Sequence, residues 1–384
     1  MKLFKSLLIA PATLGLLAPM SANAAEINLN EISTYSNVET LEVENSFSDD
    51  ESFLNPLLAG GEGLVDDIDH DGGFSETTTA SFSAELYLGS EDSDDGSATL
   101  NDTDDSIMAG YGFQIDLNTS FTGEDSLDIS LDAGNASGGI AEFDGNTGGD
   151  ALTVDGVSYT FPVAGATVFV GDNTDGSALF TTACVYGGPS DTLDDCGNVN
   201  AGITGGAISA GASYDFGNGF TVATGMQTGQ KVLTEESLDS LALNAAYIGD
   251  NYGVSLTYSS VETSITEEDT ATAFNAYYTP EGLLPSVSAG YEIVDLGGEA
   301  ANVDEKESVF LGLTWDEVGA GSLGVAVGYS NIIEGSEEEY MYEAYYSYPI
   351  NDGMTITPLV FVKENKTAGQ DDTTGLMVKT SFSF

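Results

Sequence analysis

From Ser75 to the C-terminus, apolar and small or polar residues alternate. Tyr252, Val254, Leu256 and Tyr258 stand between Gly253, Ser255 and Thr257. Val309, Leu311, Leu313 and Trp315 flank Phe310, Gly312 and Thr314. Leu323, Val325, Val327 and Tyr329 flank Gly324, Ala326 and Gly328. A period of two sends successive side chains to opposite faces, so these segments are strands with one apolar face. Sixteen such segments run from 76–89 to 374–384, separated by Gly, Asp, Asn and Pro.

The connections alternate too. Short turns follow the even-numbered segments, as at Phe216-Gly217-Asn218, Gly249-Asp250-Asn251 and Ile350-Asn351-Asp352-Gly353. Longer acidic loops follow the odd-numbered ones, including one expected between the segments 252–262 and 271–278. Short turns at one end and long loops at the other predict an all-β fold: a transmembrane, antiparallel outer-membrane β-barrel of about 16 strands, within 14–18. Tyr214, Phe216, Phe220, Tyr247, Tyr252, Tyr277, Tyr278, Trp315, Tyr346 and Tyr348 lie beside the short turns. Rings gathered at one end suit a girdle at a membrane–water interface; cross-strand pairing in a water-soluble sheet is the alternative.

The N-terminus divides the chain further. Lys2 and Lys5, an apolar run from Leu7 to Leu17 and the Ala22-Asn23-Ala24 site form a secretory signal over 1–24. Residues 25–73 form an acidic leader without sustained period, expected in the periplasm or partly disordered, and 74–384 form the barrel. No later stretch has the roughly 18 continuous apolar residues of a spanning helix.

Composition narrows the function. The chain has 63 acidic residues against seven lysines, no arginine and one histidine, for a formal net charge of −56. Such a chain offers no basic surface for nucleic acid. The single His70 lies outside the strands, which excludes a serine–histidine catalytic site on the barrel, and the chain reads as no enzyme. Cys184 and Cys196 are the only cysteines, and in an oxidising compartment they are expected to form a disulfide across a Gly/Asp-rich loop. Asp67, Asp69 and Asp71, with Gly72, have the spacing of the first half of a calcium loop, but its twelfth position is Thr78. Calcium is therefore the one cofactor suggested, against a plain solvated linker. The last segment ends on Phe384, with Phe382, Thr380, Val378 and Leu376 on one face. An alternating strand closed by a terminal phenylalanine is similar to the signal by which barrel-assembly machinery recognises outer-membrane proteins.

The sequence resembles the porins of cyanobacteria, particularly the marine picocyanobacterial type. The likeness rests on Met1-Lys2-Leu3-Phe4 through Ala24-Ala25-Glu26-Ile27-Asn28, on Phe74-Ser75-Glu76-Thr77-Thr78-Thr79, and on Asn118-Thr119-Ser120-Phe121-Thr122-Gly123-Glu124-Asp125 with Asp132-Ala133-Gly134-Asn135. The final Phe382-Ser383-Phe384 completes it. Such porins usually carry a periplasmic S-layer-homology domain, and residues 25–73 are too few to contain one. The resemblance implies passive passage of small hydrophilic solutes and inorganic ions across the cell outer membrane, with outer-membrane lipid around the barrel. Porins in general add, by analogy, a homotrimer.

Residues of opposite parity to the apolar set are expected to line the lumen: Glu85, Asp116, Asp128, Asp132, Asp215, Glu292, Asp316 and Glu343, with Lys379 as counter-charge. Carboxylates in a water-filled pore concentrate cations and repel anions. In saline water the Debye length shrinks to a few ångströms, so charges near a constriction count more than distant loops. The connections 135–151 and 172–202 are the candidates to fold inward. The rival reading is a secreted, acidic, β-structured surface or calcium-binding protein.

Overall fold

In the computed structural model, residues 78–384 are described, apart from 93–105, 137, 144, 147, 230–231, 233–237, 265–266, 299–303 and 368–369. The signal and leader expected at 1–73, with the Asp67, Asp69, Asp71 triad, lie outside the described residues.

Sixteen strands form: β1 Thr78–Asp92, β2 Met108–Thr119, β3 Ser126–Gly134, β4 Thr153–Val163, β5 Ala166–Thr174, β6 Ala207–Asp215, β7 Phe220–Thr228 and β8 Asp239–Ile248. They continue as β9 Tyr252–Ser264, β10 Glu267–Tyr278, β11 Ser286–Asp295, β12 Glu305–Val318, β13 Gly321–Ile333, β14 Met341–Asn351, β15 Met354–Lys363 and β16 Thr373–Ser383. Each pairs antiparallel with its sequence neighbour, and β1 pairs with β16 to close the barrel. At the seam Phe82 and Phe384 exchange two backbone hydrogen bonds of 3.0 Å, and their rings stack at 5.8 Å. Closure leaves no unpaired sheet edge. Among the described residues no helix is long and apolar enough to cross a membrane, which says nothing against strands doing so.

The outer face is apolar. Leu86 and Leu88 on β1, Leu241 and Leu243 on β8, Val254 and Leu256 on β9, Phe274 on β10 and Leu376 on β16 are all exposed. So much contiguous exposed hydrocarbon is unstable in water and marks a surface built for another solvent. At the short-turn end, rings pair both along a strand and between neighbouring strands. Tyr214 meets Phe216 at 4.9 Å, Phe216 meets Phe220 at 5.4 Å, Tyr247 meets Tyr252 at 5.6 Å and Tyr346 meets Tyr348 at 6.3 Å.

Two details differ from the sequence reading. The connection between β9 and β10 is only residues 265–266, because both strands extend and carry Glu262, Glu267, Glu268 and Asp269 on the ladder. Tyr277 shares the parity of Asn275, whose side chain turns inward, so Tyr277 lies over Gly253 inside rather than in the outer girdle.

Candidate functional site

The site begins where the wall bends. In the β3–β4 ladder Ser130 pairs with Gly156 and Leu131 with Val154, leaving Asp155 as the extra residue of a bulge. The β5–β6 register slips beside it, between Gly171 and Thr174. Asn173, at a φ of 54°, ties the two bulges by donating from Nδ2 to the carbonyls of Val154 and Asp155, both at 2.9 Å. Bulges sharpen twist and redirect the chain. Immediately afterwards the 175–206 segment leaves β5, and it enters the barrel. Its base is closed by Gly205 N donating to Asp175 Oδ1 at 3.0 Å, and its body by the Cys184–Cys196 disulfide.

Inward-facing polar side chains hold this inner loop strand by strand. On β8, Asn244 accepts from Thr181 N at 3.0 Å and donates to Thr181 O at 3.1 Å. Ser255 on β9 accepts from Ala183 N at 2.9 Å, and Ser288 on β11 from Val185 N at 3.0 Å. Asn275 on β10 donates to Cys196 O at 2.8 Å. Glu292 on β11, fully buried, accepts from Asn200 N at 2.8 Å, Asn200 Nδ2 at 2.7 Å and Ala201 N at 2.7 Å. Loop backbone touches wall backbone where the wall has glycine. A Cβ on Gly225 would sit 1.8 Å from Gly176 O, and one on Gly290 1.7 Å from Cys196 O.

A second segment enters from the other side. The short 3-10 helix Gly138–Phe143 packs against β1, β2 and β16, with Phe143 stacked on Tyr87 at 5.9 Å. Glu142 pairs with Lys363 on β15 and accepts from Thr192 N of the inner loop at 3.1 Å. Between the two segments lies an apolar core inside the barrel, formed by Tyr87, Ile140, Phe143, Tyr186, Leu193 and Phe310 with Met341, Leu359, Phe361 and Met377. Tyr186 is its centre. Its ring meets Phe310 at 5.2 Å and Tyr345 at 5.8 Å, and its hydroxyl donates to Glu343 Oε1 at 2.5 Å. Burial, with the Glu343 carboxylate facing it, pushes the phenol far above its ordinary range, so it stays a donor at any working pH.

The nine residues expected in the lumen all lie on inward-facing positions, but they do different things. Glu292 and Glu343 are buried beneath the inner loop and act as its attachment points, not as wet pore walls. Asp132 is also buried; its Oδ1 accepts from Thr153 Oγ1 at 2.7 Å and its Oδ2 from Asn146. Asp116 and Asp128 are half-buried. Asp116 accepts from Gln114 Nε2 at 2.8 Å and Ser130 Oγ at 2.6 Å, and Asp128 from Asn118 Nδ2 at 2.6 Å and Ser126 Oγ at 2.8 Å. Glu85 and Lys379 face each other across the seam at 3.5 Å, with Tyr87 and Ser381 also donating to Glu85. Asp215 and Asp316 are exposed near the short turns.

Expecting carboxylates to line open water therefore misses Glu292, Glu343 and Asp132, because each meets protein hydrogen-bond donors and is bonded rather than hydrated. Sequence reasoning also overlooked Glu142, Asp155 and the apolar core. One signal for the core was present: Leu359-Val360-Phe361-Val362 and Leu376-Met377-Val378 are unbroken apolar runs, meaning strands apolar on both faces. The wall from β2 to β6 carries Asp116, Asp128, Asp132 and Asp155 among hydroxyls and amides.

No protein-family model and no curated protein matches the chain. Solved structures do. The Pseudomonas putida OprB structure determined at high pH aligns with a TM-score of 0.54 and 13% identity over 80% of this chain and 94% of that one. A variant of the Rh. blastica porin gives 0.50 and 13%, over 80% of this chain and all of that one. A porin refined at 1.8 Å gives 0.50 and 19% over the same shares. At such identities the likeness establishes the fold: a 16-stranded porin-type barrel.

Proposed function

We propose that the chain is an outer-membrane porin of the cyanobacterial type, a non-enzymatic channel for passive diffusion of small hydrophilic solutes and inorganic ions, with preference for cations. The observation carrying this reading is the disulfide-closed inner loop held within a closed barrel whose outer face is apolar. Such a loop narrows a lumen to a path along the uncovered wall, and here that wall is acidic. Glu85, Asp116, Asp128, Asp215 and Asp316 keep access to solvent, and the only lysine among the nine, Lys379, is neutralised by Glu85. Fixed carboxylates beside a narrow aqueous path raise cation and lower anion occupancy.

Residues 1–24 are read as the export signal and 25–73 as a periplasmic leader, with outer-membrane lipid around the barrel and a homotrimer as its assembly. The reversal potential of the purified protein in planar bilayers under a KCl gradient tests the reading. A potential of the sign set by K⁺ is expected, and one set by Cl⁻ overturns the preference. Bilayers that show no conductance steps overturn the channel.

A further inference from the structure

Lys306 stands apart from the other described lysines. Lys363, Lys366 and Lys379 pair with Glu142, Glu364 and Glu85, whereas among the described residues no carboxylate pairs with Lys306. It is half-buried on β12, at an inward-facing position two residues from the buried Ser308. There it lines a half-open cavity of about 210 Å³ between the wall and residues 199–204 of the inner loop, at the long-loop end of the barrel.

Strand register builds the wall of this cavity. Ser240 on β8 stands opposite Val261 on β9, and Val261 opposite Asp269 on β10. Two residues further along β10, Ala271 stands opposite Val294 on β11, and Val294 opposite Lys306. Asp269 and Lys306 thus face one cavity from two strands apart, roughly 10 Å at about 4.8 Å per strand. Both have capacity left. Asp269 Oδ1 accepts from Gly297 N at 2.9 Å, and among the described residues no hydrogen bond reaches its Oδ2. The amide groups of Asn200 and Gln227, also in the lining, spend their N–H donors on Glu292, Asn331 and the Thr174 carbonyl. The Lys306 ammonium is therefore the cavity's unspent charged donor.

We propose that this cavity binds a small aliphatic α-amino acid, its carboxylate on Lys306, its ammonium on Asp269 and its side chain against Val261, Ala271 and Val294. A solute with both charges satisfies both residues at once, whereas an inorganic cation serves only Asp269 and an anion only Lys306. Charge-assisted bonds at its two ends fix its orientation. The volume equals about seven waters at ~30 Å³ each, room for about six to eight non-hydrogen atoms, the range from alanine to valine. The inference goes beyond the channel reading, since occupancy of the cavity needs no flow through the lumen.

L-Valine is the probe, titrated into the detergent-solubilised full chain and followed by saturation-transfer NMR. Saturable binding is expected. Its analogues 3-methylbutanoate, which lacks the ammonium, and 2-methylpropylamine, which lacks the carboxylate, should each bind about tenfold more weakly or worse, the loss of one charge-assisted bond. Lys306→Met and Asp269→Asn should each weaken L-valine by a similar factor, whereas Glu338→Gln, in an exposed loop, should leave it unchanged. The analogue series on wild type decides the matter even if a variant fails to yield a heat-modifiable folded band. No saturable valine binding, either analogue binding as tightly as valine, or undiminished binding by a folded Lys306→Met protein overturns the site. Conductance steps without valine binding keep the channel and remove the site; valine binding without steps does the reverse.

Discussion

The Tyr186 hydroxyl donates to Glu343 Oε1 at 2.5 Å, joining the centre of the inner loop to β14 on the far side of the lumen. Among the described residues no hydrogen bond reaches Glu343 Oε2, so Tyr186 is a principal donor to a buried carboxylate. Removing one partner of a buried pair costs more than the bond itself contributes, about 1–3 kcal/mol. Tyr186→Phe is therefore expected to lower the temperature at which the folded band converts in detergent electrophoresis. Glu343→Gln, which keeps an acceptor but no charge, should lower it less. A Tyr186→Phe protein as stable as wild type would remove this contact from the list of loop attachments.

The disulfide links residues twelve positions apart, and closing a loop of that size stabilises by about 3 kcal/mol on the chain-entropy account. Cys184→Ser/Cys196→Ser is expected to leave the barrel closed, because no strand pairing depends on it. The inner loop should loosen, seen as noisier and larger single-channel steps. Identical traces with and without reductant would contradict this.

Gly290 has a sharper role. Its missing Cβ lets the backbone of Cys196 lie against β11. Gly290→Ala cannot be absorbed by a flexible side chain, since the obstructing atom is a carbonyl, so the loop must shift away from the wall. Amide exchange across 193–201 should rise while exchange in β11 itself changes little. Gly217→Ala, with open space around its Cβ, gives a useful contrast: its cost comes from its φ of 80° alone and stays local to the turn.

Exposed and buried acids should separate in function. Asp215→Asn and Asp316→Asn are expected to reduce cation preference with unchanged stability. Glu292→Ala strands three donors from Asn200 and Ala201 and should destabilise by about 1–3 kcal/mol for each donor left unsatisfied, while raising conductance. Paired measurements of reversal potential and unfolding midpoint check both halves.

The β2–β3 turn supplies a pH prediction. Asp125 Oδ2 accepts from Tyr159 at 2.5 Å, and Oδ1 accepts from Ser120 and from the backbone and side chain of Thr122. Led by the Tyr159 bond, these hold the carboxyl far below its ordinary range. A depressed folded-state value means the stabilisation is complete above the unfolded value of about 4 and is lost only as the pH falls below it. Asp125→Asn should accordingly be less stable than wild type at neutral pH, with the difference shrinking in acid. A constant difference from pH 7 to pH 3 would show that the charge is irrelevant.

The strands were legible because lipid and lumen demand opposite chemistry of alternate residues, and that demand is written at every second position of β9, β12 and β13. The disulfide and the inward fold of the two longest connections could be anticipated from length and compartment. What the inner face meets could not. Ser255, Ser288 and Asn275 gave no signal of it, since a small polar side chain looks the same whether it bonds water or the backbone of a loop. Glu292 and Glu343 misled for the same reason. Gly225 and Gly290 carried no signal either, because glycine is common on this barrel and only two close approaches make these positions obligatory. Asp155 escaped because a bulge interrupts the very period used to find strands.

The seam between β1 and β16 has a consequence for how the molecule is made. Ser83 stands opposite Ser383, so the first and last strands of the barrel must meet before either edge is satisfied. Until the final strand arrives, fifteen strands' worth of chain has nowhere to shelter its outer leucines and no finished cavity for its inner loop. If the chain travels as an outer-membrane protein, it is expected to travel unfolded and to close in one concluding step. A lesion that removes β16 would leave β1 and β15 as open edges and is expected to prevent the barrel from closing.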